Sequence, residues 1–406
     1  MTASPEELRA HPDAAKAAVV GVEPVRVLAP SSEAELEAIL QQANSERSGV
    51  VVATNATKLD FGSAPTCLDV RLDLDQMPQR LEHSAGDLVV AASANLGFEA
   101  LRASLASSGQ RLSIDEVVPG SSVGGVVATA LSGPLRYRFG GVRDVLLGVR
   151  FVRADGLSGK AGGKVVKNVA GYDVAKLLAG SYGTLAVLTE CIFRLHPLPR
   201  RRIAVSATLP LEAIAEGANA IARSNLDVAA IECNLEADAK GTLAVLVEGS
   251  IEGASRRATA VAEILAAGGA ATDLAQELEL PKWWGALPGN TVLKVTFAPG
   301  KGAIALREAV RCTNGLGLVR GSLAVGTLAI GLSDSLGAEE INEMLEALRR
   351  SFLPLGGSAQ LLRASPAQKV GVDLFGPVPG LDLMERVKGQ FDPNRVLGPG
   401  RFIGGW

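Results

Sequence analysis

The chain has 406 residues, of which 47% are apolar and 4% are aromatic, and its formal net charge is −3. This length is sufficient for two or three domains with a large core, and the composition is typical of an α/β or α+β protein. The small negative charge excludes a strongly basic surface for nucleic acid, and no run reaches the roughly 18 apolar residues of a membrane-spanning helix. Acidic residues near the N-terminus replace the basic region of a secretory signal, so we expect a cytoplasmic protein.

Cysteine and histidine are both scarce. The four cysteines, Cys67, Cys191, Cys233 and Cys312, stand far apart, and none forms a CxxC pair. Their spacing argues against a zinc or iron–sulfur site and predicts buried free thiols. Because no histidine follows His196, we predict no metal site in the second half of the chain.

The first hundred or so residues alternate between helix and strand patterns. A capped amphipathic helix is predicted after Ser31-Ser32, and a buried strand at Val50–Ala53 leads into a polar loop at 54–59. Backbone amides of such a loop can form a nest for an anion. The pattern further predicts strands at 67–72 and 88–92 and a helix at 96–105 that ends before Gly109.

Glycine is densest between residues 119 and 199. A turn at Pro119-Gly120 precedes a predicted helix at 123–131, whose first turn carries Gly124-Gly125. Free amide groups and the helix dipole would suit a phosphate there, whereas the alternative is that the glycine pair only lets this helix pack closely. Strands are predicted at 143–154 and 184–195, with a short helix at 172–179 between them.

A different pattern begins after Pro199. Three arginines at 200–202 predict a solvated hinge, and the following residues predict a helix-covered, mostly antiparallel sheet, consistent with a duplicated β-α-β-β unit. Strands are predicted at 203–209, 228–234, 242–248, 291–298, 318–321, 325–330 and 358–363, and helices at 211–224, 254–267, 302–312 and 339–351. We expect domains at 1–200 and 201–375 and a segment at 376–406 that returns to the first domain.

Several motifs resemble the FAD-binding domain of the p-cresol methylhydroxylase/vanillyl-alcohol oxidase superfamily and, within it, the glycolate oxidase (glycolate dehydrogenase) FAD-binding subunits, GlcE. They are Gly124-Gly125 with Ala128-Thr129 and Ser132-Gly133-Pro134, Arg143-Asp144, the run Lys167-Asn168-Val169-Ala170-Gly171-Tyr172-Asp173, Gly183-Thr184-Leu185 and the tail from Phe391-Asp392-Pro393 to Arg401. The resemblance implies an α+β fold: a two-subdomain PCMH-type FAD-binding domain, a helix-covered antiparallel-sheet cap domain and a C-terminal segment packing back on the FAD domain.

The resemblance also implies a cofactor, non-covalent FAD, since the early loop lacks the histidine used for covalent attachment. Its pyrophosphate would lie between the loop at 54–58 and the turn at 119–125, the isoalloxazine near 128–133 and the adenine along the strand after Gly183. The cofactor-binding residues implied are Thr54, Asn55, Ala56, Thr57, Lys58, Pro119, Gly120, Ser122, Gly124, Gly125, Ala128, Thr129, Ser132, Gly133, Gly183 and Val187.

The chain departs from the family pattern at two places. The early loop, usually a run of glycines, contains Asn55 and Ala56, and a left-handed alanine costs roughly 1 kcal/mol or more. The tail has Gly398 where the family has asparagine. Lys167 and Asn168, in the strongest motif, would either face the flavin or only fix the turn.

These observations leave two functions open. The first is an FAD-binding subunit of a multi-subunit glycolate/2-hydroxy-acid dehydrogenase, in which a paralogous flavin subunit carries most of the catalytic pocket and an iron–sulfur subunit takes the electrons. The second is a structural subunit of the same complex that has weakened or lost FAD binding. No catalytic residue is assigned, because the C-terminal histidine cluster of related dehydrogenases is absent. Membrane contact is expected only through partners, at the inner membrane.

Overall fold

The computed structural model describes residues 18–164, 172–236, 240–267 and 271–406. The chain forms two compact units. The first contains the residues up to Leu131, Gly141–Leu198 and Pro377–Trp406, and the second contains Ser132–Gly140 and Pro199–Gly376. The sequence did not predict that the short segment Ser132–Gly140 would group with the second unit, because nothing in its composition differs from its surroundings.

The helices and strands up to residue 198 are β1 (Arg26–Leu28), α1 (Glu33–Glu46), β2 (Val50–Ala53), β3 (Val70–Asp73), β4 (Leu81–Ser84), β5 (Val89–Ser93), α2 (Phe98–Ser107), β6 (Gln110–Arg111), α3 (Val123–Thr129), α4 (Arg136–Phe139), α5 (Val142–Val145), β7 (Leu146–Arg153), β8 (Ser158–Gly162), α6 (Val174–Leu178), β9 (Ala186–Arg194) and β10 (His196–Pro197). Of these, α4 belongs to the second unit.

Two main sheets build the first unit. A three-stranded parallel sheet has the order β1-β3-β2, and a five-stranded antiparallel sheet has the order β4-β5-β9-β7-β8. The helix α1 begins at Ser32, whose side chain accepts a hydrogen bond from the Glu35 amide, as the sequence predicted. Its apolar face is buried against the parallel sheet in a core that also contains Val187.

The second unit is a duplicated β-α-β-β-α-β motif. Its elements are β11 (Arg201–Pro210), α7 (Leu211–Arg223), β12 (Ala230–Leu235), β13 (Lys240–Gly249), α8 (Ile251–Ala267), β14 (Thr272–Glu277), β15 (Thr291–Thr296), α9 (Gly302–Cys312), β16 (Leu318–Ser322), β17 (Thr327–Leu332), α10 (Ala338–Phe352) and β18 (Ser358–Arg363). All eight strands form one antiparallel sheet of order β14-β11-β13-β12-β16-β17-β15-β18, so the two halves meet at β12 and β16. The predicted helix-covered antiparallel sheet is therefore confirmed, and its duplication is more complete than the sequence indicated.

The C-terminal segment rejoins the first unit. After α11 (Leu381–Phe391), Leu397 forms a parallel bridge with Val50, and the Val50 amide donates to the Val396 carbonyl at 2.8 Å. Lys388 is buried and donates to three oxygens: the Asp392 carboxylate at 2.7 Å, the Thr184 carbonyl at 2.7 Å and the Leu397 carbonyl at 2.8 Å. Burial lowers the pKa of Lys388, and Asp392 opposes that shift. The predicted return of this segment is confirmed.

Three details differ from the sequence predictions or fall outside the described residues. Cys67 is exposed rather than buried, and its thiol lies 2.8 Å from the Asp69 carboxylate. Arg201 and Arg202 are the first residues of β11 rather than a free hinge, and Arg202 pairs with the buried Glu248 at 3.3 Å. The run 165–171, which includes Lys167 and Asn168, lies outside the described residues. Within the described ranges, no helix has the length and hydropathy needed to span a bilayer.

Replacing Lys388 by methionine should destabilise the first unit by about 3–5 kcal/mol, because the Asp392 carboxylate would be left buried without its partner. The side chains of this pair are 2% and 0% exposed. A matched control is Glu385→Gln, which removes the Arg395–Glu385 pair whose side chains are 55% and 53% exposed. Its loss should cost at most about 1 kcal/mol. Urea unfolding of both variants measures the difference, and equal costs would contradict the structural role given to Lys388.

Candidate cofactor-binding site

One groove in the first unit collects most of the residues that the sequence singled out. It is an open groove lined by both polar and apolar residues. Its walls come from β2 and the loop after it, the first turns of α3, the start of β9 and two residues of the C-terminal tail. The lining residues are Val51, Val52, Ala53, Thr54, Asn55, Ala56, Thr57, Lys58, Leu59, Leu74, Ala94, Ser122, Gly124, Gly125, Ala128, Thr129, Ser181, Tyr182, Gly183, Ala186, Val187, Leu188, Gly398 and Arg401.

Lys58 is the main charged group of this groove. Its ammonium contacts the hydroxyl of Ser121 and lies 3.4 Å from that of Thr57. Burial lowers the pKa of Lys58 to about 8, and the nearby carboxylates of Glu116 and Asp60 only partly oppose this. Lys58 is therefore mainly protonated at pH 7, in a place where an anionic ligand would further stabilise its charge.

The helix α3 does not offer the free amides that the sequence predicted. The Gly124 amide donates to the Ala94 carbonyl at 2.7 Å, and the Gly125 amide donates to the Ser122 hydroxyl at 3.1 Å. A Cβ on Gly124 would lie 2.9 Å from the Cβ of Ala94, so this glycine is needed for close packing of helix on strand. The prediction that both amides are available to a phosphate is wrong, and the close-packing alternative holds for Gly124.

The loop at 54–59 is held by side chains rather than by glycines. Asn55 donates from its side-chain amide to the Gly120 carbonyl at 2.8 Å, which ties this loop to the turn before α3. Ala56 has φ +54°, so the left-handed alanine anticipated from the sequence is present, at a cost of roughly 1–2 kcal/mol. This strained backbone forms part of the groove wall.

A turn before β9 forms the opposite wall and is fixed by the C-terminal tail. Gly183 has φ +73°, and no atom lies within 4 Å of the position a Cβ would take, so its surface faces open space in the groove. The ring of the preceding residue, Tyr182, stacks on that of Phe402 with centroids 4.8 Å apart. Burial raises the pKa of Tyr182 to about 12. Arg401 donates to the carbonyls of Phe61 and Ser63 at 2.8 and 3.1 Å, and burial lowers its pKa to about 10.

Twelve of the sixteen cofactor residues implied by the sequence line this groove. Pro119 and Gly120 form the adjoining turn, where the Gly120 carbonyl accepts from the Asn55 side chain. Ser132 and Gly133 lie in the segment that belongs to the second unit. The residues that the sequence missed are Ala94, Ser181, Tyr182, Gly398 and Arg401, among others. Among these residues, the sequence pointed only to Gly398 and Arg401, because the C-terminal segment was expected to return to this domain.

The residues present fit a dinucleotide diphosphate. The described lining includes two cations, Lys58 and Arg401, and no carboxylate, so the groove suits an anionic group. Small side chains at Ala128 and Gly183 leave room for flat or extended groups. No group of three or more histidine, cysteine or acidic residues in the described ranges is arranged to hold a metal ion.

Comparison with known proteins agrees with this assignment. Residues 24–161 match the FAD_binding_4 family, described as FAD binding domain. The glycolate oxidase subunit GlcE of Escherichia coli is 34% identical over 183 residues, which are 43% of this chain and 51% of that protein. A mitochondrial D-lactate dehydrogenase [cytochrome] of Arabidopsis thaliana is 30% identical over 51% of this chain and 36% of that protein. The glycolate oxidase subunit GlcD of Bacillus subtilis is 24% identical over 94% and 89%.

Solved structures extend the likeness to nearly the whole chain. p-Cresol methylhydroxylase with bound substrate has a TM-score of 0.72 at 15% identity, covering 93% of this chain and 88% of that one. Alkyldihydroxyacetonephosphate synthase has a TM-score of 0.68 at 16% identity, covering 93% and 77%. The chain spans about half or less of the length of the GlcE and D-lactate dehydrogenase relatives. The fold predicted from the sequence is confirmed: the chain has the fold of p-cresol methylhydroxylase, and its match to an FAD binding domain supports FAD as the cofactor.

Proposed function

We propose that this protein is the FAD-binding subunit of a multi-subunit glycolate/2-hydroxy-acid dehydrogenase. The observation that carries this proposal is the groove of the first unit, where the Lys58 ammonium and the open surface of Gly183 face the same space. Relatives named for glycolate oxidase subunits and for D-lactate and D-2-hydroxyglutarate dehydrogenases support a 2-hydroxy acid as the substrate class.

In this function, glycolate loses two electrons and two protons to give glyoxylate, and bound FAD supplies the two-electron acceptor. Lys58 would bind the diphosphate, with Asn55 and Ser121 holding the loop and the ammonium in position. Small residues on α3 and the turn at Gly183 would bound the flat and extended parts of the cofactor. The chain has no histidine after His196, so no histidine of the second unit is available to remove a proton.

The proposed partner subunits are those that would supply the groups this chain does not contain. Its four cysteines are separated by tens of residues, so an iron–sulfur cluster that receives the electrons would belong to a second subunit. A paralogous flavin subunit would carry the main catalytic pocket, as the relatives named GlcE and GlcD suggest for a shared complex. We propose a cytoplasmic complex that contacts the inner membrane only through its other subunits.

A second candidate function rests on the occupied amides of α3. Since Gly124 and Gly125 already donate to Ala94 and Ser122, the diphosphate would depend on other groups of the groove, above all on Lys58. A structural subunit that has lost FAD would have the same fold. The visible absorption spectrum of the purified chain separates the two, because a bound flavin absorbs visible light and a protein without a cofactor does not. Co-expression with partner subunits and a glycolate-dependent dye assay then test the complex.

Replacing Gly183 by leucine should weaken FAD binding at least tenfold, because the new side chain would enter open space of the groove. Gly109 is a matched control: its φ is +68°, again no atom lies within 4 Å of a Cβ, and it lies outside the groove. Both variants carry the same backbone strain, about 1–2 kcal/mol. FAD content and fluorescence titration are measured for each. Equal FAD affinities in Gly183→Leu and Gly109→Leu would place the cofactor elsewhere.

FAD affinity should also fall as the pH rises through about 8, the pKa of Lys58 in the free protein. The protonated amine attracts the diphosphate and the neutral amine does not, so the affinity is highest below pH 7 and declines by up to about tenfold per pH unit above 8. Lys58→Met should remove this dependence and bind FAD weakly at every pH. Lys160→Met, at an exposed lysine on β8, should keep the original profile. A flat profile between pH 6 and 9.5 in the unaltered protein would contradict the role of Lys58.

A further inference from the structure

Ser121 lies buried in the turn before α3, and each of its polar groups has a partner. Its carbonyl accepts from the Phe98 amide at 2.8 Å, and its hydroxyl donates to the Val118 carbonyl at 2.5 Å. Its amide donates to the Glu116 carboxylate at 2.9 Å. Ser121 is only 1% exposed, so these contacts rather than water set the direction of its hydroxyl.

The same hydroxyl receives the ammonium of Lys58. Because the hydroxyl hydrogen is donated to Val118, the lone pairs of the oxygen are left for the lysine, which can only donate. The turn is also tied to the loop that carries Lys58, since the Asn55 side chain donates to the Gly120 carbonyl at 2.8 Å. The position of the ammonium therefore depends on the shape of the turn at 116–121.

Glu116 closes this turn. Its hydrogen bond with the Ser121 amide joins residues five positions apart, and it belongs to the stronger, charge-assisted class. Glu116 is not one of the residues that line the groove. Its negative charge therefore acts on the ammonium of Lys58 from outside the space that an anionic ligand would occupy.

The charged groups around Lys58 act in opposite directions. Burial lowers the pKa of Lys58 to about 8, and the carboxylates of Glu116 and Asp60 oppose that shift. Arg401 and Tyr182 line the same groove, with pKa values of about 10 and about 12. Between about pH 6 and pH 9, Lys58 is therefore the group of the described lining whose charge changes.

We propose that Glu116 is a positioning residue for the FAD diphosphate, which holds the ammonium of Lys58 at the groove through Ser121. This role rests on the proposed function, in which Lys58 binds the diphosphate. Glu116 contributes in two separable ways: its oxygen fixes the turn, and its charge stabilises the protonated amine. Glutamine at this position keeps an oxygen that accepts from the Ser121 amide and removes only the charge, whereas alanine removes both.

The first measurement follows the titration of Lys58 in the full chain without FAD. NMR of protein labelled with carbon-13 at the lysine Cε reports this titration, and Lys58→Met assigns the signal. Glu116→Gln should lower the pKa of Lys58 by about 1 pH unit, because an opposite charge nearby favours the protonated amine. Asp87→Asn removes a carboxylate at an exposed turn outside the groove and should leave the titration unchanged.

The second measurement is the FAD dissociation constant, obtained by fluorescence titration at pH 6 and at pH 8. At pH 6 Lys58 is mainly protonated with either side chain at position 116, so Glu116→Gln should bind FAD within about twofold of the unaltered protein. At pH 8 it should bind about three- to fivefold more weakly, since fewer of its Lys58 side chains are charged. Glu116→Ala, which no longer fixes the turn, should already be about threefold weaker or more at pH 6.

Two outcomes would overturn the proposal while FAD binding by the unaltered protein leaves the proposed function intact. In one, Lys58 titrates alike in Glu116→Gln and Asp87→Asn. In the other, Glu116→Gln changes FAD affinity by the same factor at both pH values. If Glu116→Ala does not fold, Glu116→Gln still decides, because it retains the hydrogen bond. An unaltered chain that takes up no FAD at any pH would contradict the proposed function, and with it any role of Glu116 toward the cofactor, whatever the titration of Lys58 shows.

Discussion

The buried ion pair of Lys388 and Asp392 ties the end of the chain to the place where the cofactor groove is built. Lys388 donates to the carbonyl of Thr184, the residue after Gly183, while Asp392 accepts from the amides of Val396 and Leu397 at 2.9 and 2.7 Å. Both charges are removed from water, so each depends on the other and on these backbone groups. Gly398 and Arg401 come shortly after Leu397 in the same tail, and both line the groove. The contacts that anchor the tail therefore also position this part of the groove wall.

In the proposed function, a cationic side chain rather than a glycine-rich backbone would bind the diphosphate in the groove. The amides at the start of α3 are used for packing against Ala94 and for capping by Ser122. Lys58, on the facing loop, supplies the positive charge instead. A backbone amide donates its hydrogen bond at every pH, whereas an amine with a pKa of about 8 loses its charge in the neutral range. If Lys58 binds the diphosphate as proposed, cofactor affinity therefore depends on pH.

The sequence predicted those parts of the fold that local patterns determine. The bounds of α9 and β18 agree to the residue, because each has a clear periodicity between turn signals. The edge strand β14 was missed, since most of its residues are exposed and only its pairing with β11 makes it a strand. In the same way, loop residues such as Thr57 and Lys58 could be assigned to the groove from a motif, but Tyr182 and Ala94 could not. Their place depends on long-range hydrogen bonds, such as that of the Tyr182 amide to the Ala128 carbonyl at 2.9 Å, which no local pattern encodes.

The duplicated motif explains why the two faces of the second unit's sheet differ. In each β-α-β-β-α-β half, the two helices connect antiparallel-sheet strands and lie on the same side. Joining the halves edge to edge at β12 and β16 therefore places all four helices on one face and covers it with apolar contacts. On the other face, within the described residues, α4 packs against Ala230 and Leu246, and Arg320 contacts Asn234 and Trp283. That face can therefore carry polar and charged side chains, whereas the helix-covered face is apolar throughout its core.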